Sequence, residues 1–241
     1  MELLFRDDPY LKSCRARVTD SSSAGVRFDR TIFYPEGGGQ PGDTGLMRLS
    51  SGAEVNIIDA QKHGDDDQDV LHLLAADSPV PDIGEEVELQ IDWERRHRLM
   101  RMHTSLHLLC SLVEGDVTGG QISDGKGRLD FNLPEGAPDK TWLTENLNDL
   151  VRRAVPVSVI WASDEELDNT PELVRTMSVK PPRGSGRVRM LQIEGVDLQP
   201  CGGTHVSNTS EIGRLEVGKI ENKGRQNRRI NLRFASQEAG S

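Results

Sequence analysis

Two short stretches of the chain hold side chains able to do chemistry. "HTSLH" sets His103 and His107 four positions apart, and "QPCGGTH" sets Cys201 and His205 four apart around two glycines. On a helix, residues i and i+4 lie one above the other on a single face, so both imidazoles can reach one ion. Gly202 and Gly203 would let the second stretch turn its thiol and imidazole toward a common point. Each half has a plain alternative. An HxxxH pair is as readily two polar residues on an exposed helix face, and a loop cysteine is usually a small, half-buried apolar residue. Together, in a chain with 6 histidines and 3 cysteines, three imidazoles and a thiolate form a donor set whose softness and tetrahedral geometry suit zinc. Four protein ligands usually mark a structural site, whereas catalytic zinc keeps one position open; the sequence leaves this choice open. Thr104 stands where a helical zinc protease would carry glutamate, which argues against proteolysis. No Ser–His–Asp arrangement is legible, Ser105 inside the helix is a poor nucleophile, and His97 falls off the HxxxH spacing and reads as a surface or supporting residue.

The elements that must position these groups are partly legible. Residues 1–92 read as β, with short runs such as "CRARV", "GVRFD", "EVNIID", "VLHLLA" and "EEVELQI" between Ser, Gly, Asp and Pro clusters. This spacing predicts a small barrel or sandwich, with the acidic "GDDDQD" (64–69) as a hairpin tip. From Glu94 to Val113 the period changes, with Leu99, Met102, Leu106, Leu109 and Val113 at helical spacing and Gly115 as a stop. A boundary is therefore placed after Asp92, giving a barrel-like domain over 1–92 and a zinc-binding α+β domain over 93–241. In the second part "GRLDFNL" and "VPVSVIWA" read as strands, and "TWLTENLNDLVRRAV" reads as a helix with Thr141 at its N-cap and Glu145 near capping-box position. "DEELDN" reads as a short helix, "KPPRGSGRVRM" as a loop entering a strand, and "GRLEVGKI" and "RRINLRF" as a strand pair. The fold class expected is α+β.

Composition narrows the function classes. Gly 24 and Pro 12 with 4% aromatics favour many turns and short strands over a helical bundle. No apolar run is long enough for a bilayer, and the opening "MELLFRDDPY" lacks the apolar stretch of a signal peptide. Three scattered cysteines make no disulfide framework, so a reducing, cytoplasmic setting is expected, with no membrane partner. The net charge of −10 argues against nucleic acid at first, but its distribution is uneven. Residues 171–241 hold 12 Lys and Arg against 7 Asp and Glu, a balance of +5, while residues 1–170 hold 17 against 32, a balance of −15. A basic face on an acidic protein can bind a phosphate backbone locally, and Arg183, Arg187, Arg189, Lys219, Lys223, Arg225, Arg228 and Arg229 are candidates for it. On charge alone a solvated surface is the commoner outcome.

The segment "FYPEGGGQPGDTG" (33–45) is either a tight inter-strand connection or a loop whose bare amides can approach phosphate or ribose. A second Gly-Gly-Gln lies at 119–121 in "VTGGQIS"; its three-residue likeness to the peptide release factors does not extend to the flanks.

Taken in order, "FYPEGGGQPGDTG", "RHRLMRMHTSLHLL", "GGQISDGKGRLDF" and "PCGGTHV" resemble the editing region of alanyl-tRNA synthetase and its freestanding relatives, the AlaX-type alanyl-tRNA editing proteins, over about residues 28–234. The residues between Cys201 and His205 favour alanine's tRNA over threonine's, and the amino-terminal glycine motif resembles the medium-length class. The resemblance implies a small β-barrel followed by an α+β editing domain of the threonyl/alanyl type. It implies a zinc-dependent aminoacyl-tRNA hydrolase acting on tRNA(Ala) mischarged with serine or glycine, with no ATP used and no synthetase domain expected. His103, His107, Cys201 and His205 would hold one Zn2+. Gly37, Gly38, Gly39 and Gln40 would engage the tRNA or shape the pocket, together with Thr118 and Gln121. Arg183, Arg187, Lys219, Lys223, Arg225 and Arg228 would meet the phosphates. The reacting group expected is a zinc-bound water, with no separate protein base. A non-catalytic, zinc-stabilised tRNA-binding module is the alternative from another class, and a generic zinc hydrolase of small esters is a third.

Overall fold

The computed structural model describes residues 1–22, 24–64, 66–163, 165–166, 169 and 187–236. Half of the short helix expected over 164–169, most of the loop expected over 180–190, and Arg183 lie outside the described residues. What is described is mostly β with two helices, and it divides into two compact units, Met1–Arg98 and Leu99–Ser241.

In the first unit, strands β1 (Glu2–Leu3) and β4 (Arg30–Thr31) form a short parallel pair. Strands β2 (Ser13–Ser22), β3 (Gly25–Phe28), β5 (Gly45–Arg48), β6 (Glu54–His63), β7 (Asp66–Leu74) and β8 (Glu86–Ile91) close into a barrel in the order β2-β3-β7-β6-β5-β8. The alternation that marks these runs in the sequence is what fills the barrel. In β8, "EVELQI", Val87, Leu89 and Ile91 point inward and the residues between them are exposed. The acidic run at 64–69 is not all hairpin tip, because β6 reaches His63 and β7 starts at Asp66. A polar group sits in this core. His72 is fully buried between the rings of Phe28 and Phe33, 4.7 and 5.3 Å from their centroids. Its Nδ1 lies 3.2 Å from the Val26 carbonyl and its Nε2 lies 2.8 Å from the Thr31 hydroxyl. With Nδ1 donating to the carbonyl, Nε2 accepts from Thr31, and the neutral ring is fully satisfied.

Burial lowers the pKa of His72 from its ordinary 6.5 to about 4. The fold therefore prefers the neutral ring, and that stability is fully present above about pH 6.5 and is lost as pH falls from there toward about 4. The loss from this one group is about 3 kcal/mol. Denaturant titrations at pH 7.5 and pH 5 should show the decline in the native protein and a smaller one in His72→Gln. An equal decline in both would remove His72 as its source.

In the second unit, β9 (Val117–Ser123), β10 (Lys126–Asn132), β14 (Leu215–Asn222) and β15 (Asn227–Phe234) make a four-stranded antiparallel sheet in the order β14-β15-β10-β9. A three-stranded antiparallel sheet runs β11 (Val157–Ser163), β12 (Arg187–Ile193), β13 (Asp197–Pro200). "VTGGQIS" is thus an edge strand, which its two glycines conceal because glycine weakens any strand pattern. Helix α1 (Trp93–Leu112) matches the expected helix, but it is not one-sided: every residue from Met102 to Cys110 is buried. Its polar residues inside this stretch bond back to the helix, Thr104 Oγ1 to Met100 O (3.0 Å) and Ser105 Oγ to Arg101 O (2.7 Å). Helix α2 (Lys140–Arg152) buries Leu143, Leu147, Leu150 and Val151. Its N-cap is Asp139, not Thr141, because the Asp139 carboxylate accepts from Trp142 N at 2.9 Å and Thr141 already lies inside the helix.

Candidate metal centre

Three local features deliver the four donors to one place. In α1 the i, i+4 spacing stacks His103 and His107, whose ring centroids lie 5.5 Å apart. β13 leads into Cys201, whose N–H donates to Arg189 O of β12 and so extends the ladder by one residue (3.1 Å). The Arg189 guanidinium then holds the turn from below, donating from Nη1 to the carbonyls of Cys201 (2.7 Å) and Gly203 (3.1 Å). Arg189 is buried, so it is a brace of the turn and not the phosphate contact its sequence position suggested. After His205 the chain is pinned again by a capping box, in which Glu211 accepts from Ser207 N and Asn208 N (both 3.1 Å) and Asn208 accepts from Ser210 N (2.9 Å). Neither Gly202 nor Gly203 adopts the left-handed conformation, so the turn does not depend on glycine for its φ angles. A Cβ at Gly202 would meet nothing within 4 Å, which leaves the outer side of the turn open.

The result is a compact donor set. One donor atom each from His103, His107, Cys201 and His205 lies within 4.8 Å of every other. Cys201 Sγ is 3.2 Å from His205 Nε2 and 3.6 Å from His103 Nε2. Around a tetrahedral ion with Zn–N and Zn–S bonds of 2.0–2.3 Å, donors stand roughly 3.3–3.6 Å apart; the two distances from Cys201 Sγ are close to this, and three nitrogens with one sulfur are a donor set whose chemistry suits zinc. His97, by contrast, stacks on Trp93 at 5.2 Å and contributes nothing to the set.

Two supporting contacts set the imidazole tautomers, and the sequence reading missed both. His107 Nδ1 donates to Asp197 Oδ2 at 2.9 Å, leaving Nε2 to face the cluster. His205 Nδ1 is 3.3 Å from Thr104 Oγ1, whose own proton goes to Met100 O, so the histidine is the donor and its Nε2 keeps its lone pair. Thr104 Oγ1 also accepts from Val206 N (3.3 Å), which ties helix and turn through one hydroxyl. Thr104 was legible only as a missing protease glutamate, and Asp197 lies 90 residues from its partner, with no local pattern to announce it.

The four donors are electrostatically coupled to one another. Burial pushes the Cys201 thiol up, but its interactions with the surrounding imidazoles of His103, His205 and His107 outweigh it and hold the group well below 9.0. Burial also opposes charge on His107, yet the Asp197 carboxylate and the Cys201 thiolate together raise it to about 10. Burial, reinforced by His103, lowers His205 to about 3 and keeps it neutral. The other two thiols differ: burial raises Cys14 to about 11, and Cys110 Sγ accepts from Gln199 Nε2 at 3.0 Å. Cys14, Cys110 and Cys201 are all outside any disulfide.

The remaining candidate residues lie outside the donor set. Gly37–Gln40 form a turn in the first unit, with Gly37 and Gln40 exchanging backbone hydrogen bonds (3.0 and 2.9 Å) and Gly38 and Gly39 at φ of 57° and 80°. Gln40 is buried, and Gly42 is required by close packing, since a Cβ there would lie 2.1 Å from Ala60 O. In β9, Thr118 Oγ1 donates to Asp130 O (3.2 Å) or Asn227 Oδ1 (3.3 Å), and Gln121 Oε1 accepts from Arg128 Nε at 3.3 Å. Arg187 opens β12. Lys219, Lys223, Arg225 and Arg228 gather at the β14–β15 hairpin, where Lys223 pairs with Glu221 (3.0 Å) and Arg228 donates to Gly224 O (3.2 Å) and Asn227 O (3.1 Å). Arg229 is committed to Asp130 through two hydrogen bonds of 2.7 and 2.8 Å, an ion pair inside the sheet and not a free phosphate contact.

Comparison with known proteins points to one family. Residues 188–231, which carry Cys201 and His205, match the family model described as "Threonyl and Alanyl tRNA synthetase second additional domain". Residues 9–95 match the model described as "tRNA synthetases class II (A)", against the expectation that nothing in the chain resembles a synthetase domain. The chain is 38% identical over 244 residues to the alanyl-tRNA editing protein AlaX-M of Methanosarcina barkeri, covering 95% of this chain and 97% of that protein. It is 36% identical to the Methanosarcina acetivorans protein of the same name, covering 95% and 97%. The alanine–tRNA ligase of Pyrobaculum calidifontis is 36% identical over 236 residues, covering 90% of this chain and 25% of the ligase.

Proposed function

Because the chain belongs to the family of AlaX-type alanyl-tRNA editing proteins, we propose that it is a trans-editing deacylase that hydrolyses the ester of mischarged Ser-tRNA(Ala), with Gly-tRNA(Ala) as a second substrate. The observation that carries the reading is the gathering of His103, His107, Cys201 and His205, three of them buried, in a chain of that family. In this reading residues 1–92 form the barrel domain and 93–241 the α+β editing domain, and the protein works in a reducing, cytoplasmic setting that keeps Cys201 available as a ligand.

An aminoacyl ester is already activated, so the protein needs chiefly to position it and to stabilise the oxyanion that develops. A Zn2+ ion held by the four donors would supply Lewis acidity at that point. The chain's own contribution is orientation. Asp197 and Thr104 hold His107 and His205 in fixed tautomers, and Arg189 holds the Cys201–Gly203 backbone. Thr118 serves substrate choice: with its proton held by a backbone carbonyl, its oxygen accepts from the hydroxyl of a seryl group. A site built around such a contact rejects a substrate lacking the hydroxyl far better than a pocket that senses one methyl, which is worth only about 1–3 kcal/mol. Thr118→Val should lower the preference for Ser- over Ala-tRNA(Ala) by at least about tenfold while zinc content stays unchanged; unaltered discrimination would remove Thr118 from this role.

The direct test is deacylation of Ser-, Gly- and Ala-tRNA(Ala). Loss of ester from Ser-tRNA(Ala) with Ala-tRNA(Ala) spared is the expected result. The closed four-donor count favours one other reading, a zinc-stabilised tRNA-binding module. Binding of zinc and tRNA without turnover would select it.

A further inference from the structure

The three-stranded sheet carries a side-chain row that leads away from the donor cluster. In antiparallel pairs, residues directly opposite each other project from the same face. Cys201 stands opposite Arg189 through the N–H···O bond that extends β13, and Arg189 stands opposite Trp161 in β11. Cys201, Arg189 and Trp161 therefore form one row across three strands, with Cys201 and Trp161 about 10 Å apart at two strand spacings. Asp197 and Gln199, two and four residues before Cys201, share this face, and both reach α1 beside the cluster.

Trp161 is anomalous in that row. Its partner Arg189 is buried and braces the metal turn, yet Trp161 is 53% exposed, on a strand that is the edge of its sheet among the described residues. Two residues further along the same face, Ser163 stands opposite Arg187, which is exposed. Beyond Cys201 the outer side of the turn at Gly202 is open. An exposed aromatic ring and a guanidinium two residues along the same face match the needs of an unpaired nucleotide: a stacking surface for the base and a positive charge for the phosphate.

We propose that Trp161 is the stacking platform for the 3′-terminal adenosine of the charged tRNA, with Arg187 facing the phosphate that precedes it. The ester is carried on that nucleoside, so a base seated on Trp161 brings the ester along the row toward Cys201. The inference rests on the deacylase reading for its substrate, and the stacking itself is measured separately. Affinity for uncharged tRNA(Ala) is determined with and without its terminal adenosine, for the native protein, Trp161→Ala and Trp161→Phe, alongside deacylation of Ser-tRNA(Ala). One base–aromatic stack corresponds to about 5- to 150-fold in affinity. Trp161→Ala should lose that factor on full-length tRNA, lose nothing more when the adenosine is removed, and show the same loss in kcat/KM, while Trp161→Phe retains most of both. Because the side chain is exposed, the thermal midpoint and zinc content of Trp161→Ala should equal the native values. Native-like affinity of Trp161→Ala, or an equal penalty for adenosine removal in both proteins, would overturn the proposal. A native protein that leaves the ester intact while the two losses still coincide would overturn the deacylase reading and support the stacking.

Discussion

Replacing His107 with alanine is expected to abolish stoichiometric zinc binding and to lower Ser-tRNA(Ala) deacylation by more than about 100-fold, since loss of a partner that merely supports a ligand typically costs 10–100-fold. The size follows from the surroundings. The three imidazoles are buried and Cys201 is half-buried beside them, its thiol held well below its ordinary pKa. Removing one imidazole leaves three donors and an unbalanced buried charge in a space with little room to rearrange. Asp197→Asn should give the intermediate result, about 10- to 100-fold weaker zinc affinity, because the amide can no longer accept the His107 proton as a carboxylate does. Metal content after dialysis and the deacylation rate measure both variants. Full zinc occupancy in His107→Ala would exclude His107 as a ligand, and full activity in a zinc-free protein would exclude the metal from catalysis.

The second large effect is expected on stability, in the first unit. Asp43 and Arg96 form an ion pair with side chains 1% and 0% exposed. Arg96 Nε lies 3.0 and 2.9 Å from the two carboxylate oxygens, and Nη2 donates to the carboxylate as well. The remaining donors go to Pro9 O (2.9 Å) and Ile32 O (2.6 Å), and Asp43 Oδ2 also accepts from Tyr34 N at 2.6 Å. One guanidinium thus ties the start of α1 to the glycine-rich segment and to the chain on either side of the barrel's first strands. Asp43→Ala should destabilise by about 3–5 kcal/mol, the usual cost of leaving a buried charge without its partner. Chemical denaturation gives the number directly, and a loss below about 1 kcal/mol would mean that the pair is relaxed or hydrated in solution. Asp43→Ala with Arg96→Met should cost less than the two single changes added, because the stranded charge is gone. It will not be neutral, since the Pro9 and Ile32 carbonyls lose their donor.

These two sites differ in how far the sequence discloses them. His103 and His107 announce themselves through a spacing tied to the helical period, and Cys201 and His205 through a short run of rare residue types. Asp43 and Arg96 lie 53 positions apart in unlike segments, and each alone reads as an ordinary surface charge. The same holds for Arg189, whose place among basic residues suggested a phosphate contact until the structure put it under the Cys201 turn. Charge is visible in a sequence, but burial of a long polar side chain is not, because it depends on which backbone carbonyls the fold brings within reach.

The barrel strands followed from alternation, since a two-residue period has one physical meaning when one face must be buried. Strand β9 and the N-cap of α2 were lost or misplaced where glycines weaken the pattern and where several small polar residues compete to cap. The chain by itself determined the chemistry at stake: a soft, nitrogen- and sulfur-rich donor set, a glycine-bearing turn beside it, and a likeness to tRNA editing proteins. Only the tertiary structure decided which atoms are free to bind. The tautomers of His107 and His205 are set by Asp197 and Thr104, and the reach of the site along its sheet is set by the register that places Trp161 in line with Cys201. Both are consequences of long-range pairing, and no local period in the sequence records them.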